Sequence, residues 1–547
     1  MRATTKKIAA GLLISTGILY FSFSDPGEKY FQIAKNLDIF ATLYKEVNQF
    51  YVDDVNPSKL MNIGINSMLM SLDPYTNYYP EEEIEDYRTM TTNEYAGVGM
   101  LVGTHDDKNI VIMPHKGFSA ASAGIRIGDE ILSVNDIDVK GKSNDEISQL
   151  LKGQVNSDVK ITVKRFGENA PLDFMLKREK VTIPNVPFYG MVNQEVAYIK
   201  LSDFTTNASK EVKDALIELK EKGAKKLILD LRDNPGGLLS EAVNISNLFL
   251  PKGAEIVSTK GKIDDWNKTY YGLNQPVDLD IPIAVLTSGR SASASEIVAG
   301  AIQDYDRGIL VGQKTFGKGL VQATRPLSYN SQLKITTAKY YIPSGRCIQA
   351  IDYANNQAVK LPDSLKVAFT TQNGRIVYDG AGIDPDVPVI QEEIPSIILG
   401  LDQQNMIFDF ATEYQKNLPA ITSPEDFEVT DEIYNAFIDW LNDKDFDYTT
   451  RMESSIKVLE DIAKEEQYYS GVKGELDQLA KKVMHNKDQD LQTFKPDIKK
   501  MLKVELVSRQ FFKEGQIRAS FQEDEDVQMA LNVLKETSRY NSILKHQ

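Results

Sequence analysis

The sequence predicts a multidomain α+β chain: an N-terminal helical segment, a small sheet domain, an α/β core and a helical C-terminal domain. Three observations predict it. At 547 residues the chain is too long for one hydrophobic core, and three or four domains are expected. Apolar residues recur at helix spacing near the N-terminus, then give way to short runs opened by glycine. Further on, nearly all-apolar strands alternate with amphipathic helices, the pattern of a sheet buried on both faces. The expected divisions are 1–24, 25–94, 95–182, 183–394 and 395–547.

Composition is ordinary for a globular chain, and the net charge of −16 argues against nucleic acid as the main partner. Arg2, Lys6 and Lys7 precede an apolar run from Ile8 to Phe23, which suits a signal peptide and is short for a full membrane span. Ser22-Phe-Ser24 offers a small-x-small cleavage site. Cleavage and retention as a membrane anchor both stay open, and export to the periplasm or cell envelope is the expectation for either. The single Cys347 rules out an internal disulfide framework, and the four scattered histidines offer no metal cluster, so no cofactor or metal is expected.

Residues 30–90 read as helical, with Phe31, Leu37, Phe40, Leu43, Val47 and Phe50 on one stripe and Leu60, Ile63 and Met68 on another. The turn Leu72-Asp-Pro74 ends this region. A structural helical hairpin is the simplest reading, and a homodimer contact is compatible with it.

From about 95 the character changes. Gly97-Val-Gly-Met-Leu-Val-Gly103 predicts a glycine-opened strand, Asn109–Met113 a second, Ser119–Ile125 a short helix, Gly128–Asn135 a turn and strand, Asp145–Leu151 a helix, and Val159–Lys164 a last strand. This segment resembles a PDZ domain. The resemblance implies that backbone N–H groups of Gly97, Val98, Gly99 and Met100 hold a peptide's terminal carboxylate while the peptide adds a strand to the sheet edge. A tight turn alone would also use these glycines.

Val196–Leu201, Lys226–Leu231 and Ile281–Leu286 read as strands of the α/β core, with helices over Asn207–Lys222 and Leu238–Leu250. Two strands exit into Arg232-Asp-Asn-Pro-Gly-Gly237 and Ser288-Gly-Arg-Ser-Ala-Ser-Ala-Ser-Glu296. Strand exits are where open α/β sheets place ligands. Ser288, Ser291, Ser293 and Ser295 compete as nucleophile. Ser295 suits the helix cap or first turn, which places Ser293 at the helix mouth, where exposed N–H groups favour developing negative charge. Ala294 offers the first oxyanion N–H, and Gly236 or Gly237 the second. Lys318, in Thr315-Phe-Gly-Lys-Gly319, could lose its charge through burial and act as base, with Gln322 as a neutral partner. A surface lysine in a glycine turn would give the same spacing.

Together with Leu72-Asp-Pro74 and Pro343-Ser-Gly-Arg-Cys-Ile-Gln349, these motifs resemble the C-terminal processing, or tail-specific, proteases over about residues 30–390. The resemblance implies a crotonase-like α/β protease core, nucleophile Ser293, base Lys318, orienting amide Gln322, and oxyanion donors at Ala294 and one glycine of Gly236-Gly237. It also implies polypeptide substrates recognised at or near a free C-terminus. The tail after 395 reads as helical, with helices over Ile398–Lys416, Glu432–Leu441, Met452–Glu466 and Asp526–Leu544; it exceeds the family core and reads as a spacer, cap or partner-binding module.

Two rivals fit less well. Gly312–Gly319 follows the phosphate-loop pattern until Gly319 replaces the Mg²⁺-binding hydroxyl, and Leu320–Thr324 reads as strand where that motif needs helix. A PDZ scaffold that binds tails without cutting would have no need of both Ser293 and Lys318.

Overall fold

The computed structural model describes residues 26–105, 107–353, 358–360, 362–391 and 393–545. The signal-like stretch 1–24 lies outside them. The chain divides into two compact units, Met1–Tyr78 and Tyr79–Gln547.

In the first unit, α1 (Pro26–Phe50) is followed by α2 (Pro57–Met70). Asn56 caps α2 by accepting the Lys59 N–H at 3.0 Å, and Pro57 takes the first helical position, where no N–H is needed. The Leu72–Pro74 turn is tied by Asp73, whose Oδ1 accepts the N–H groups of Tyr75 and Thr76, both at 2.8 Å. Many of the apolar residues read as a helical stripe remain open: Phe31, Leu37 and Phe50 are 65%, 64% and 68% exposed.

The second unit opens with α3 (Ile84–Thr92), which ends at left-handed Asn93. The PDZ-like segment enters and leaves through one antiparallel ribbon, β1 (Glu94–Gly97) on β8 (Glu179–Thr182). Between them, β2 (Met100–His105), β3 (Lys108–Pro114), β4 (Glu130–Val134), β5 (Ile137–Asp138), β6 (Asp158–Lys164) and β7 (Leu172–Lys177) form one sheet in the order β2-β3-β4-β6-β7, with β5 on β4. Helices α4 (Ser119–Ser122) and α5 (Asn144–Leu151) complete it. The run Gly97–Gly103 is not one strand: Gly99 has φ +72°, which breaks it between β1 and β2. Nor is Val159–Lys164 the last strand, because β7 and β8 follow it.

The α/β core contains a six-stranded sheet, β9 (Phe188–Met191), β10 (Val196–Lys200), β11 (Lys226–Asp230), β14 (Ile283–Thr287), β15 (Ile309–Gly312) and β18 (Val387–Pro388), neighbours in that order. β9 runs antiparallel and the rest are parallel. Alternate residues serve two cores, as the period of two requires. Ala197, Leu227, Leu229, Ile283 and Val285 pack with α6 (Ala208–Glu221), α7 (Leu239–Asn247) and α8 (Ala294–Asp304). Tyr198, Ile228, Ala284, Leu286 and Val311 pack with Val527, Ala530, Val533 and Tyr540, which come from the end of the chain.

A second, antiparallel sheet contains β12 (Glu255–Gly261), β13 (Lys268–Tyr271), β16 (Leu320–Pro326) and β17 (Gln332–Tyr341), with β16 and β12 flanking β17. The strand at Leu320 removes the phosphate-loop reading.

The tail folds as α9 (Ser396–Gln403), α10 (Met406–Tyr414), α11 (Asp431–Asn442), α12 (Arg451–Glu465), α13 (Tyr469–Val483), α14 (Lys487–Thr493), α15 (Lys495–Ser520), α16 (Glu525–Lys535) and α17 (Thr537–Leu544). The single helix expected over Ile398–Lys416 is broken at Asn405, φ +56°. The one expected over Asp526–Leu544 is broken at Glu536. Helices α9, α10, α11, α14 and α15 share a core around Leu401, Phe410, Phe437 and Leu502. Helices α16 and α17 instead form the second covering layer of the six-stranded sheet.

Candidate active site

The turn leaving β11 is held by Asn234, which is fully buried. Its Nδ2 donates to Leu201 O at 2.8 Å and its Oδ1 accepts the Gly236 N–H at 2.9 Å. Its carbonyl accepts the Ala292 N–H at 3.0 Å and the Ser295 hydroxyl at 2.9 Å. One buried amide residue thus staples the glycine turn to the serine loop.

The four serines separate by what their hydroxyls do. Ser291 Oγ donates to Leu231 O at 2.8 Å, Ser288 Oγ donates to Asp233 Oδ1 at 3.1 Å, and Ser295 Oγ bonds Asn234. All three are buried structural pins. Ser293 is half-buried and caps α8 with φ +55° and ψ −112°, a conformation costly for a residue with a Cβ.

Glu296 holds that conformation. It lies one turn into α8 and is fully buried. Its Oε2 accepts the N–H of Ser293 at 2.8 Å and of Lys318 at 2.9 Å. Its Oε1 accepts the Gly317 N–H at 2.7 Å and the Thr315 hydroxyl at 2.6 Å. Burial pushes its carboxyl up to about 7, against the pull of these four donors. Tyr340, also buried, reaches the carbonyl oxygens of the same pair, Lys318 at 2.7 Å and Ser293 at 3.1 Å. The neighbours of Lys318 are therefore less apolar than its flanking residues suggest, and Phe316 is 49% exposed.

Ser293, Ala294, Gly236, Gly237, Lys318 and Gln322 all line one cleft of about 660 Å³. Gln322 Nε2 donates to Thr336 Oγ1 at 3.2 Å, which leaves Oε1 as its acceptor. The glycines differ. A Cβ on Gly236 would lie 2.8 Å from both Ser293 Cβ and Ala294 N, and the Gly236 N–H is spent on Asn234. Among the described residues, the N–H groups of Ala294 and Gly237 carry no hydrogen bond.

Gly97, Val98, Gly99 and Met100 do not line the cleft. Val98 and Met100 are buried in the PDZ core, and Gly99 bends the chain into edge strand β2. Helix α3 touches both the PDZ-like segment and the cleft: Asp86 pairs with Lys152, at the end of α5, at 2.6 Å, and the Tyr87 hydroxyl bonds Thr324 on the strand that carries Gln322.

Sequence reasoning missed Glu296 and Tyr340 as parts of the site. The Ser-x-x-Glu spacing of a capping box was a usable signal for the first. Tyr340 is one of 25 tyrosines, with no local signature.

The parallel sheet, the serine at a strained helix mouth and the lysine loop beside it define a serine-type peptidase core joined to a PDZ domain. Residues 195–359 match peptidase family S41, residues 111–165 match the PDZ domain, and residues 397–534 match the "Probable PDZ-protease, C-terminal helical domain". A carboxy-terminal-processing protease of Bartonella bacilliformis is 35% identical over 358 residues, covering 64% of this chain and 82% of the relative. A "Probable CtpA-like serine protease" of Staphylococcus aureus is 33% identical over 433 residues, covering 78% of this chain and 85% of the relative. Among solved structures, the photosystem II D1 C-terminal processing protease is 29% identical, covers 59% of this chain and 91% of its own, and superposes with a TM-score of 0.34. The chain belongs to peptidase family S41, among the C-terminal processing serine proteases, and its substrates are polypeptides.

Proposed function

We propose that this chain cleaves exported polypeptides at or near their C-termini by acyl transfer, with Ser293 as nucleophile and Lys318 as base. One observation carries the assignment: of the four serines in the loop, Ser293 alone lines the cleft that Lys318 and Gln322 also line, while the other three hydroxyls are spent on structural bonds. Neutral Lys318 takes the hydroxyl proton as the oxygen attacks the scissile carbonyl. The oxyanion forms beside the unspent N–H groups of Ala294 and Gly237, each worth about 3 kcal/mol. The Gly236 N–H, held by Asn234, shapes the turn instead. Lys318 then returns the proton to the leaving amine and activates the water that releases the acyl group. Gln322 Oε1 orients the lysine amine without adding the negative charge that would raise its pKa.

The substrate tail docks along edge strand β2, with its carboxylate at the Gly97–Met100 loop. Occupancy there is passed to the cleft through α3, which bonds both the end of α5 in the PDZ-like segment and the strand that carries Gln322. Residues 1–24 direct export, cleaved or retained as an anchor. No helix among the described residues is long and apolar enough to cross a membrane. The open apolar stripe of α1 supports self-association of the N-terminal unit.

Ser293→Ala and Lys318→Ala should each abolish turnover while peptide binding and the folded state persist. Retained hydrolysis in either variant, or failure of an acylating reagent to label Ser293, refutes the dyad. If deleting the PDZ segment leaves cutting of every substrate unchanged, tail recognition and its coupling to the cleft are wrong. Mapping the N-terminus of the native protein separates cleavage from anchoring, and sedimentation tests self-association.

A further inference from the structure

The β16–β17 register pairs Gln322 with Thr336 and Thr324 with Lys334. Directly opposed residues share a face of the ribbon, and the bond between Gln322 and Thr336 shows that this face is shared here. Gln322, Thr324 and Lys334 all line the catalytic cleft. Lys334 is half-buried, and among the described residues its ammonium has neither a hydrogen bond nor an ion pair. Burial alone shifts its amine, downward. One carboxylate, Asp203, also lines the cleft, and among the described residues no ion pair joins it to Lys334. Two lysines and no arginine line the cleft. Lys318 has to be neutral to act as a base, so Lys334 is the standing cation of the cleft. A half-buried ammonium without an anion is unfavourable, and the net charge of −16 gives acidic peptides no overall attraction to the chain.

We propose that Lys334 binds a carboxylate of the substrate close to the scissile bond, either an acidic side chain or, in a substrate whose end enters the cleft instead of the Gly97–Met100 loop, the free terminal carboxylate. Lys334 lies two residues along β17 from the partner of Gln322. At about 3.3 Å per residue, an extended peptide places that carboxylate roughly two to three residues from the attacked carbonyl. The inference rests on the Ser293 and Lys318 assignment above.

The test profiles cleavage by the full chain of two peptide libraries, one with free and one with amidated C-termini, for wild type, Lys334→Met and Lys334→Glu. Wild type should enrich Asp or Glu at one position near the cut, or cut at a fixed distance from free C-termini only. Amidation abolishes the second pattern and spares the first. Lys334→Met should lose roughly tenfold on those substrates, through KM rather than kcat, and keep its cutting of neutral ones. Lys334→Glu should turn the preference to Lys or Arg at the same position, a gain that no misfolded protein shows. Active wild type with no acidic or terminal preference, or equal losses on all substrates in Lys334→Met, overturns this inference and leaves the dyad standing. A wild-type chain that cuts neither library overturns both.

Discussion

Ser293 and Lys318 donate their backbone N–H groups to one and the same oxygen, Oε2 of Glu296, at 2.8 and 2.9 Å. The positions of the proposed nucleophile and base are thereby set by a third residue, and Tyr340 repeats the connection at their carbonyls. A strained helix cap persists only where its surroundings over-determine it. Here a buried carboxylate with four donors does so.

Glu296→Gln keeps one acceptor oxygen and turns the other into a donor that faces N–H groups. It should cost about 2–4 kcal/mol of stability, and kcat should fall roughly 10- to 100-fold with little change in KM. Urea unfolding and steady-state kinetics check this. An equal loss in kcat with an intact fold in Thr315→Val, which removes only one donor, would weigh against the shared oxygen as the cause.

The same carboxyl predicts a pH dependence. Its value in the folded protein is about 7, above its ordinary 4.5, so between these values the native state holds the proton more tightly than the unfolded chain. Stability from this group is therefore present at low pH and lost as pH rises through about 7. Wild type should lose about 2.5 kcal/mol relative to Glu296→Gln between pH 5 and pH 8, measured by denaturant titration at both.

Two glycines with similar φ should respond differently to alanine. Gly236 has φ +99°, and its Cβ would lie 2.7 Å from Ala292 O and 2.8 Å from Ser293 Cβ. Gly253 has φ +88°, with nothing within 4 Å. Gly253→Ala should cost about 1 kcal/mol and leave activity intact, since only backbone strain is added. Gly236→Ala should cost roughly 2–4 kcal/mol and abolish turnover by displacing the serine loop. Thermal melts and activity of the two variants decide.

Arg232 joins the glycine turn to the last helices. It donates to Asp230, to Asp524 at 2.8 Å and to Asp526 at 2.9 Å. Burial opposes ionisation of Asp230, but Arg232, then Lys200, hold its carboxyl well below the usual range. Its stabilising contribution is therefore present above its ordinary 3.8 and lost as pH falls below it. Arg232→Met should cost about 3–5 kcal/mol at neutral pH by leaving buried carboxylates under-paired. Asp524→Asn with Asp526→Asn should speed amide exchange across 525–544 and lower kcat, because the turn leads to Gly237. Unchanged exchange and kinetics would show that the helices only cover the sheet.

The motif residues were legible because their chemistry is local. A run of serines and small residues entering an apolar helix, a lysine between two glycines and apolar strands running into glycine turns are written within a few residues each, and they pointed to Ser293, Lys318 and the Gly236-Gly237 turn. Places where sequence reasoning fell short share a cause. Asn405 and Glu536 interrupt helices whose apolar spacing runs on without a break, because where the chain turns depends on what the two halves pack against. The tail, read as a spacer, cap or partner-binding module, supplies the cap, since the strands of the six-stranded sheet are apolar on both faces and one face was left without a partner in the preceding chain.

By itself the sequence determined the type of the elements it read, the two strand exits that bear the proposed nucleophile and oxyanion glycine, and the class of chemistry, since periodicity and turn residues act over a few positions. Only the tertiary structure decided which serine lines the cleft, which glycine keeps its N–H unspent, and that Glu296, Tyr340 and the chain's last helices hold the site together. Those assignments are set by hydrogen bonds and burial between residues distant in the chain, and burial turns a cap-forming glutamate into the shared anchor of the proposed nucleophile and base.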